Sequence, residues 1–208
     1  ESDKFDPAAL DAHFAAYVGS LLRSIGPRPN QRTSGWTMLH IDSWEMGAQN
    51  WTGKFREEFK RRRGYDPLNY LPAYTGRIVE NAEITERFLW DVRLTAQELV
   101  IENHAQHLKD LGHRHGFGLS IEPYDMNPTA DLALGAVADV PMCEFWADGD
   151  GFETSFSCFE ATSIAHTHGK AIVAAEAFTG AGGTSWLRHP GSMKNQADWA
   201  FAAGITRL

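Results

Sequence analysis

Thr37-Met38-Leu39-His40-Ile41-Asp42-Ser43-Trp44-Glu45 is an apolar run of strand length that passes directly into two carboxylates and an indole. Short apolar runs of this kind, bounded by polar residues, read as buried strands. The pattern recurs downstream at Gly118–Glu122, Val140–Phe145, Ala171–Ala175 and again from Ile205. Between these runs lie helical patterns. Pro7 to Arg23 is opened by Asp6 as an N-cap before Pro7. Trp51 to Arg63 closes at Gly64, and Asn81 to Leu111 stops at Gly112. Thr129–Leu134 is a short helix, Thr154–His168 ends at Gly169, and Gln196–Ala203 ends at Gly204. Tyr65–Gly76 carries Pro67 and Pro72 and reads as a loop or short turns.

Strands that are apolar throughout are expected to be buried on both faces, and with helices between them they form parallel β/α units. The expected fold is therefore α/β of the (β/α)8 TIM-barrel type. A closed barrel needs roughly 250 residues, so the five visible strands imply an incomplete one of about five to six β/α units. Residues 1–208 are read as a single domain of such a barrel. A doubly wound open sheet is the structural rival, but no glycine-rich phosphate loop follows any strand.

Composition narrows the function. The net charge of −8 argues against nucleic acid, whose phosphates require a basic surface. The one basic run, Lys60-Arg61-Arg62-Arg63, reads as a solvated helix terminus. No apolar segment reaches membrane-spanning length. Cys143 and Cys158 are too few for a disulfide framework or a zinc site and read as small buried hydrophobes. His104, His107, His113 and His115 accompany the long helix and read as packing or surface groups. His166 and His168 face a helix C-terminal dipole.

The chemistry lies at the strand ends. Asp42 and Glu45 follow the first run, Glu122 and Asp125 the second, Glu144 the third (with Trp146 and Asp148 beyond it) and Glu176 the fourth. In a barrel these acids converge on the C-terminal face. The structural alternative is that they pair with arginines and merely hold the fold together. Trp44, Trp51 and Trp146 offer flat faces for sugar rings, and Asn50 offers an amide for hydroxyls. Paired carboxylates beside aromatics are the equipment of glycoside hydrolysis, in which one acid keeps its proton and the other is ionised. Glu45 and Glu176 both have apolar neighbours in sequence, so residue type alone leaves their roles undivided. The candidate substrate-binding residues are His40, Asp42, Trp44, Asn50, Trp51, Glu122 and Trp146. The same acids could gather a hard cation such as Ca²⁺.

His40-Ile41-Asp42-Ser43-Trp44-Glu45-Met46-Gly47-Ala48-Gln49-Asn50-Trp51-Thr52, with Phe59, Arg62-Arg63-Gly64-Tyr65-Asp66, Tyr70-Leu71-Pro72 and Arg87-Phe88-Leu89-Trp90-Asp91, resembles the glycoside hydrolase family 106 α-L-rhamnosidases. Glu1-Ser2-Asp3-Lys4-Phe5-Asp6 resembles the segment that enters this part of their barrel. The resemblance implies a (β/α)8 catalytic domain that removes terminal α-L-rhamnose with inversion. It implies Glu45 as general acid, Glu176 as general base, and Glu144 as a third acid that binds metal or substrate. It also implies dependence on Ca²⁺, a rhamnose-containing plant glycan as substrate, and a secreted or periplasmic parent protein. Family members are several times longer, so exposed barrel edges are expected to invite self-association. The rival functions are a retaining glycosidase of another barrel family and a non-catalytic carbohydrate-binding fragment.

Overall fold

The computed structural model describes residues 2–25, 35–44, 47, 49–124, 129–147, 155–180 and 186–208. Glu45, Asp125 and Asp148 lie outside the described residues. The chain forms two compact units: one of Glu1–Thr33, Met46–Leu111 and Asn127–Ala130, the other of Ser34–Glu45, Gly112–Met126 and Asp131–Leu208.

The first unit is helical. Asp6 caps α1 (Pro7–Ala16) by accepting from the Ala8 N–H at 3.1 Å. The helical reading of Pro7–Arg23 is interrupted at Tyr17, after which α2 (Val18–Ile25) begins. α3 (Phe55–Arg63) ends at Gly64, which adopts φ 85° and donates its N–H to the Lys60 carbonyl. That left-handed φ is the conformation glycine adopts without steric cost. The proline-containing segment Pro67–Thr75 is a 3-10 helix, more regular than the loop its prolines suggest. Asn81 caps α4 (Ala82–Leu99), which continues through a π-helical stretch, Val100–Gln106, into α5 (His107–Arg114). Gly112 therefore lies inside a helix rather than ending one.

Phe55, Phe59 and Phe88 are fully buried, and Phe59 meets Phe88 at 5.8 Å and the edge of Tyr65 at 5.0 Å. In the basic run Lys60 and Arg61 are exposed as expected, whereas Arg62 and Arg63 depart from the solvated state. Arg62 is paired with Glu58, Glu98 and Glu102, and Arg63 with Glu98 at 2.5 Å. Carboxylates spaced one helical turn apart on the long helix draw both guanidinium groups inward.

The second unit is a parallel sheet with helices. Its strands are β1 (Met38–Ile41), β2 (Gly118–Ile121), β3 (Val140–Trp146) and β4 (Ala174–Thr179), in the spatial order β1-β2-β3-β4. The fifth strand expected from Ile205 is represented by one parallel bridge, Ala174 with Arg207. The helices of this unit are α6 (Asp131–Val137), α7 (Ser155–His168) and α8 (Pro190–Ala202).

One face of the sheet is apolar. Cys143, Phe145 and Ala175 pack with Cys158, Ala161 and Ala165 of α7 and Ala200 of α8. Full burial of Phe145 alone contributes about 2–3 kcal/mol. The expectation of strands buried on both faces holds for β2 only. In β1 and β3 buried residues alternate with more open ones, because the second face carries His40, Glu144 and Trp146 rather than aliphatic side chains.

A candidate active site on the polar face of the sheet

In a parallel sheet, residues paired across neighbouring strands point to the same side. His40 of β1 is paired with Ser120 of β2, and Glu144 of β3 with Glu176 of β4. Pairing thus sets an imidazole beside a hydroxyl and a carboxyl beside a carboxyl on one face. Glu122 leaves the end of β2 and Asp42 the end of β1. Neighbouring parallel strands lie about 4.8 Å apart, so the acids are close by construction.

The local order of β4 adds a further group. Phe145 pairs with Ala177 and Trp146 with Thr179, leaving Phe178 as an extra residue with φ 62°. A bulge of this kind turns the strand and re-aims the next side chain. Phe178 joins the core side, edge-on to Phe145 at 5.0 Å. Thr179 is thereby placed on the face of Glu176, to which its hydroxyl donates at 2.7 Å.

Glu122 is the most enclosed of the described acids, with 1% of its surface exposed. Tyr124, itself buried, donates its hydroxyl to Glu122 Oε2 at 2.8 Å and lies 3.4 Å from Glu144 Oε2. One phenolic proton thus faces two carboxyl groups. Burial pushes the Glu122 carboxyl up to about 8; the Tyr124 hydrogen bond opposes this, while the proximity of Asp42 and the charge of Glu176 add to it. Burial and the charge of Glu176 also raise Glu144, with hydrogen bonds from Trp146, Thr179 and Tyr124 acting in the other direction. Burial, reinforced by Glu122, Glu144 and Glu176, pushes the Tyr124 hydroxyl far above its ordinary range, so it remains a donor.

His40 Nδ1 lies 2.9 Å from Ser120 Oγ, and Ser120 Oγ donates to the Leu39 carbonyl at 3.3 Å. Ser120 is thereby placed to accept from an Nδ1–H, and Nε2 lies 3.6 Å from Asp42 Oδ1.

Of the residues singled out from sequence, this unit brings together His40, Asp42, Glu122, Glu144 and Glu176. Trp146 stands at the end of β3, partly exposed, and its carbonyl accepts from Gln196. Trp44 is half-buried in the same unit. Asn50 and Trp51 belong to the helical unit, where the Trp51 ring packs 4.9 Å from Phe55. Sequence reasoning passed over Ser120, Tyr124 and Thr179. Tyr124 follows Glu122 by two positions, which is a local signal, whereas Thr179 reaches the site only through the bulge.

Cys143 and Cys158 are both buried and free, with their sulfurs 3.3 Å apart. His107 pairs with Asp11 and His113 with Asp139, and His168 Nδ1 meets the Ile164 carbonyl. No described helix is long and apolar enough to cross a membrane.

Carboxyl groups gathered from four successive parallel strands, rimmed by an indole, are the equipment of a glycoside hydrolase. The chain matches the glycoside hydrolase 106 family, alpha-L-rhamnosidase, over residues 1–208 and belongs to that family. It is 42% identical over 208 residues to a Formosa agariphila protein named "Putative beta-glucuronidase", covering all of this chain and 17% of that protein. It superposes on the structure of a rhamnosidase from Novosphingobium sp. PP1Y with a TM-score of 0.86 and 32% identity, covering all of this chain and 20% of that one. The chain therefore spans about a fifth of the length of the proteins it matches.

Proposed function

We propose that this chain supplies catalytic carboxylates for hydrolysis of terminal α-L-rhamnosyl linkages in plant glycans, with Glu45 as general acid and Glu176 as general base of an inverting reaction. The observation that carries the reading is the set of acids on one face of the sheet, in a chain whose family and solved neighbour are both named for rhamnose release. The sequential, parallel strand order supports reading the sheet as part of a (β/α)8 barrel. Glu176 is exposed, as a base that activates water must be, and the Thr179 hydroxyl fixes its orientation. Glu122, raised by burial, keeps its proton and with Tyr124 forms a neutral floor beneath the other acids. His40, Asp42, Trp44 and Trp146 are proposed to contact the sugar. The parent protein is proposed to work outside the cytoplasm, where polysaccharide is met.

Ca²⁺ fits the donors around Glu144, which are all oxygens: its own carboxylate, the Glu176 carboxylate and the Tyr124 and Thr179 hydroxyls. Glu144 would hold the ion, which supplies a hard positive centre for sugar hydroxyls.

One observation favours a second reading. Glu144 and Glu176 are register partners on adjacent strands. Side chains so placed suit the roughly 5 Å carboxyl separation of a retaining glycosidase better than the ~6.5–9.5 Å of an inverting one.

The test is turnover of p-nitrophenyl α-L-rhamnopyranoside and p-nitrophenyl β-D-glucuronide by the wild-type protein, Glu45→Gln and Glu176→Gln, with the anomer of the first-formed sugar read by proton NMR. Rhamnoside cleavage with an inverted product, lost in both variants, supports the proposal. A retained product transfers the chemistry to Glu144 and Glu176. Cleavage of the glucuronide alone refutes the substrate assignment.

A further inference from the structure

His40 Nε2, Asp42 Oδ1 and a Glu122 carboxyl oxygen lie within 4.8 Å of one another. All three are residue types that offer a lone pair to a metal once their protons are displaced. With Nδ1 held by Ser120, Nε2 is the imidazole nitrogen left beside Asp42 for a ligand. Glu122 Oε1 is enclosed and has no hydrogen-bond partner, although its other oxygen is held by Tyr124. A carboxyl group 99% buried, with one oxygen lacking a partner and set beside an imidazole nitrogen and a second carboxylate, is an arrangement that a cation completes by displacing the Glu122 proton.

We infer that His40, Asp42 and Glu122 bind a borderline divalent cation of the Zn²⁺ class, in a site separate from any oxygen-only Ca²⁺ site at Glu144. The donor set decides the class. Imidazole nitrogen suits Zn²⁺ and its neighbours in the transition series, whereas Ca²⁺ and Mg²⁺ take oxygen. One imidazole and two carboxylates leave a coordination position open to water or to a sugar hydroxyl. The second shell is already built. Ser120 fixes the imidazole tautomer, as carboxylates and carbonyls do for metal-bound histidines elsewhere, and Tyr124 fixes the rotation of the Glu122 carboxyl. Such an ion would tie the ends of β1 and β2 together and offset the negative charge beside Glu144 and Glu176. The inference stands whichever sugar the enzyme cleaves.

The test uses the purified protein stripped with a chelator and titrated with Co²⁺, whose visible absorption reports a nitrogen- and oxygen-liganded site, and with Zn²⁺ and Ca²⁺ by calorimetry. The expected result is one Co²⁺ bound, displaced by Zn²⁺ but not by a large excess of Ca²⁺, with affinity reduced more than tenfold by His40→Ala and by Glu122→Gln. Ser120→Ala leaves every ligand in place and releases the imidazole, so it is expected to weaken binding about tenfold while the circular dichroism stays native. Three results would each overturn the inference: no Co²⁺ binding by the wild-type protein, binding unchanged in His40→Ala and Ser120→Ala, or displacement of Co²⁺ by Ca²⁺ at comparable concentration. The first of these would mean that shared protons, not a metal, bridge the three groups.

Discussion

Glu122→Gln should make the metal-free protein more stable than wild type in alkali while leaving it nearly unchanged in acid. Glu122 ordinarily ionises near 4.5, and in the folded protein burial pushes it up to about 8. Between these values the folded state holds a proton that the unfolded state has released, so stability falls as pH rises. The gap of about 3.5 pH units, at about 1.4 kcal/mol per unit, amounts to roughly 5 kcal/mol as an upper bound. Glutamine is neutral, nearly isosteric, and keeps an oxygen to accept from Tyr124, so the variant carries none of this dependence. The assay is urea unfolding of both proteins between about pH 5 and about pH 9 with chelator present, read as the difference between their unfolding free energies. The two are expected to lie close together near pH 5 and to diverge by several kcal/mol near pH 9, with the variant more stable. Parallel curves across the whole range would sink this account, since they would mean that Glu122 ionises as readily in the folded chain as in the unfolded one. Repeating the series with Zn²⁺ should restore the alkaline stability of wild type alone, because only the carboxylate ligates strongly.

Other expectations concern the two units separately. Burial pushes the His104 imidazole down to about 4 from 6.5, so its neutral form contributes stability that is lost as pH falls between those values; His104→Gln should remove roughly 3 kcal/mol of that acid dependence, measured by thermal unfolding between about pH 4 and about pH 7. A Cβ at Gly135 would sit 2.4 Å from Ile164 Cδ1 and 3.2 Å from Pro123 Cγ. Gly135→Ala should therefore cost about 1–3 kcal/mol, and Ile164→Val, by deleting Cδ1, should recover part of it in a double-mutant cycle. Arg62, its side chain 10% exposed, neutralises three carboxylates that are themselves more open. Allowing for that screening, Arg62→Met should lower stability by about 2 kcal/mol in urea, and a fall below about 0.5 kcal/mol would assign the cluster to the solvated surface after all.

Much of the sheet unit was legible in the sequence. The runs at Thr37, Gly118 and Val140 became β1, β2 and β3 within a residue or two, and the acids at their ends were visible as acids at strand ends. The fourth strand was placed a few residues early, at Ala171–Ala175 instead of Ala174–Thr179, because its second half, Glu176-Ala177-Phe178-Thr179, is half polar and lacks the apolar signal. The basic run was misjudged for a related reason. Arg62 and Arg63 look solvated when read against α3, but the carboxylates that bury them lie on the long helix, more than thirty positions away in Glu98 and Glu102. Buried faces were misjudged too, since an apolar run does not reveal that His40, Glu144 and Trp146 share one side.

Local pattern along the chain was enough to set which segments are strands, which are helices, where the carboxylates stand along them and which family the chain resembles, since hydrophobic runs, caps and strand-end acids act over a few residues. The assembled fold settled the rest. His40 meets Ser120 across 80 positions, and Glu144 meets Glu176 only because β3 and β4 pair in one register and no other. The bulge at Phe178 then turns Thr179 into the site. Register and bulge are settled by the packing of Phe145, Cys143 and Ala175 against α7 and α8, where slipping a strand by one residue would exchange its buried and polar faces. The energy that forbids such a slip resides in long-range contacts, which no local pattern records.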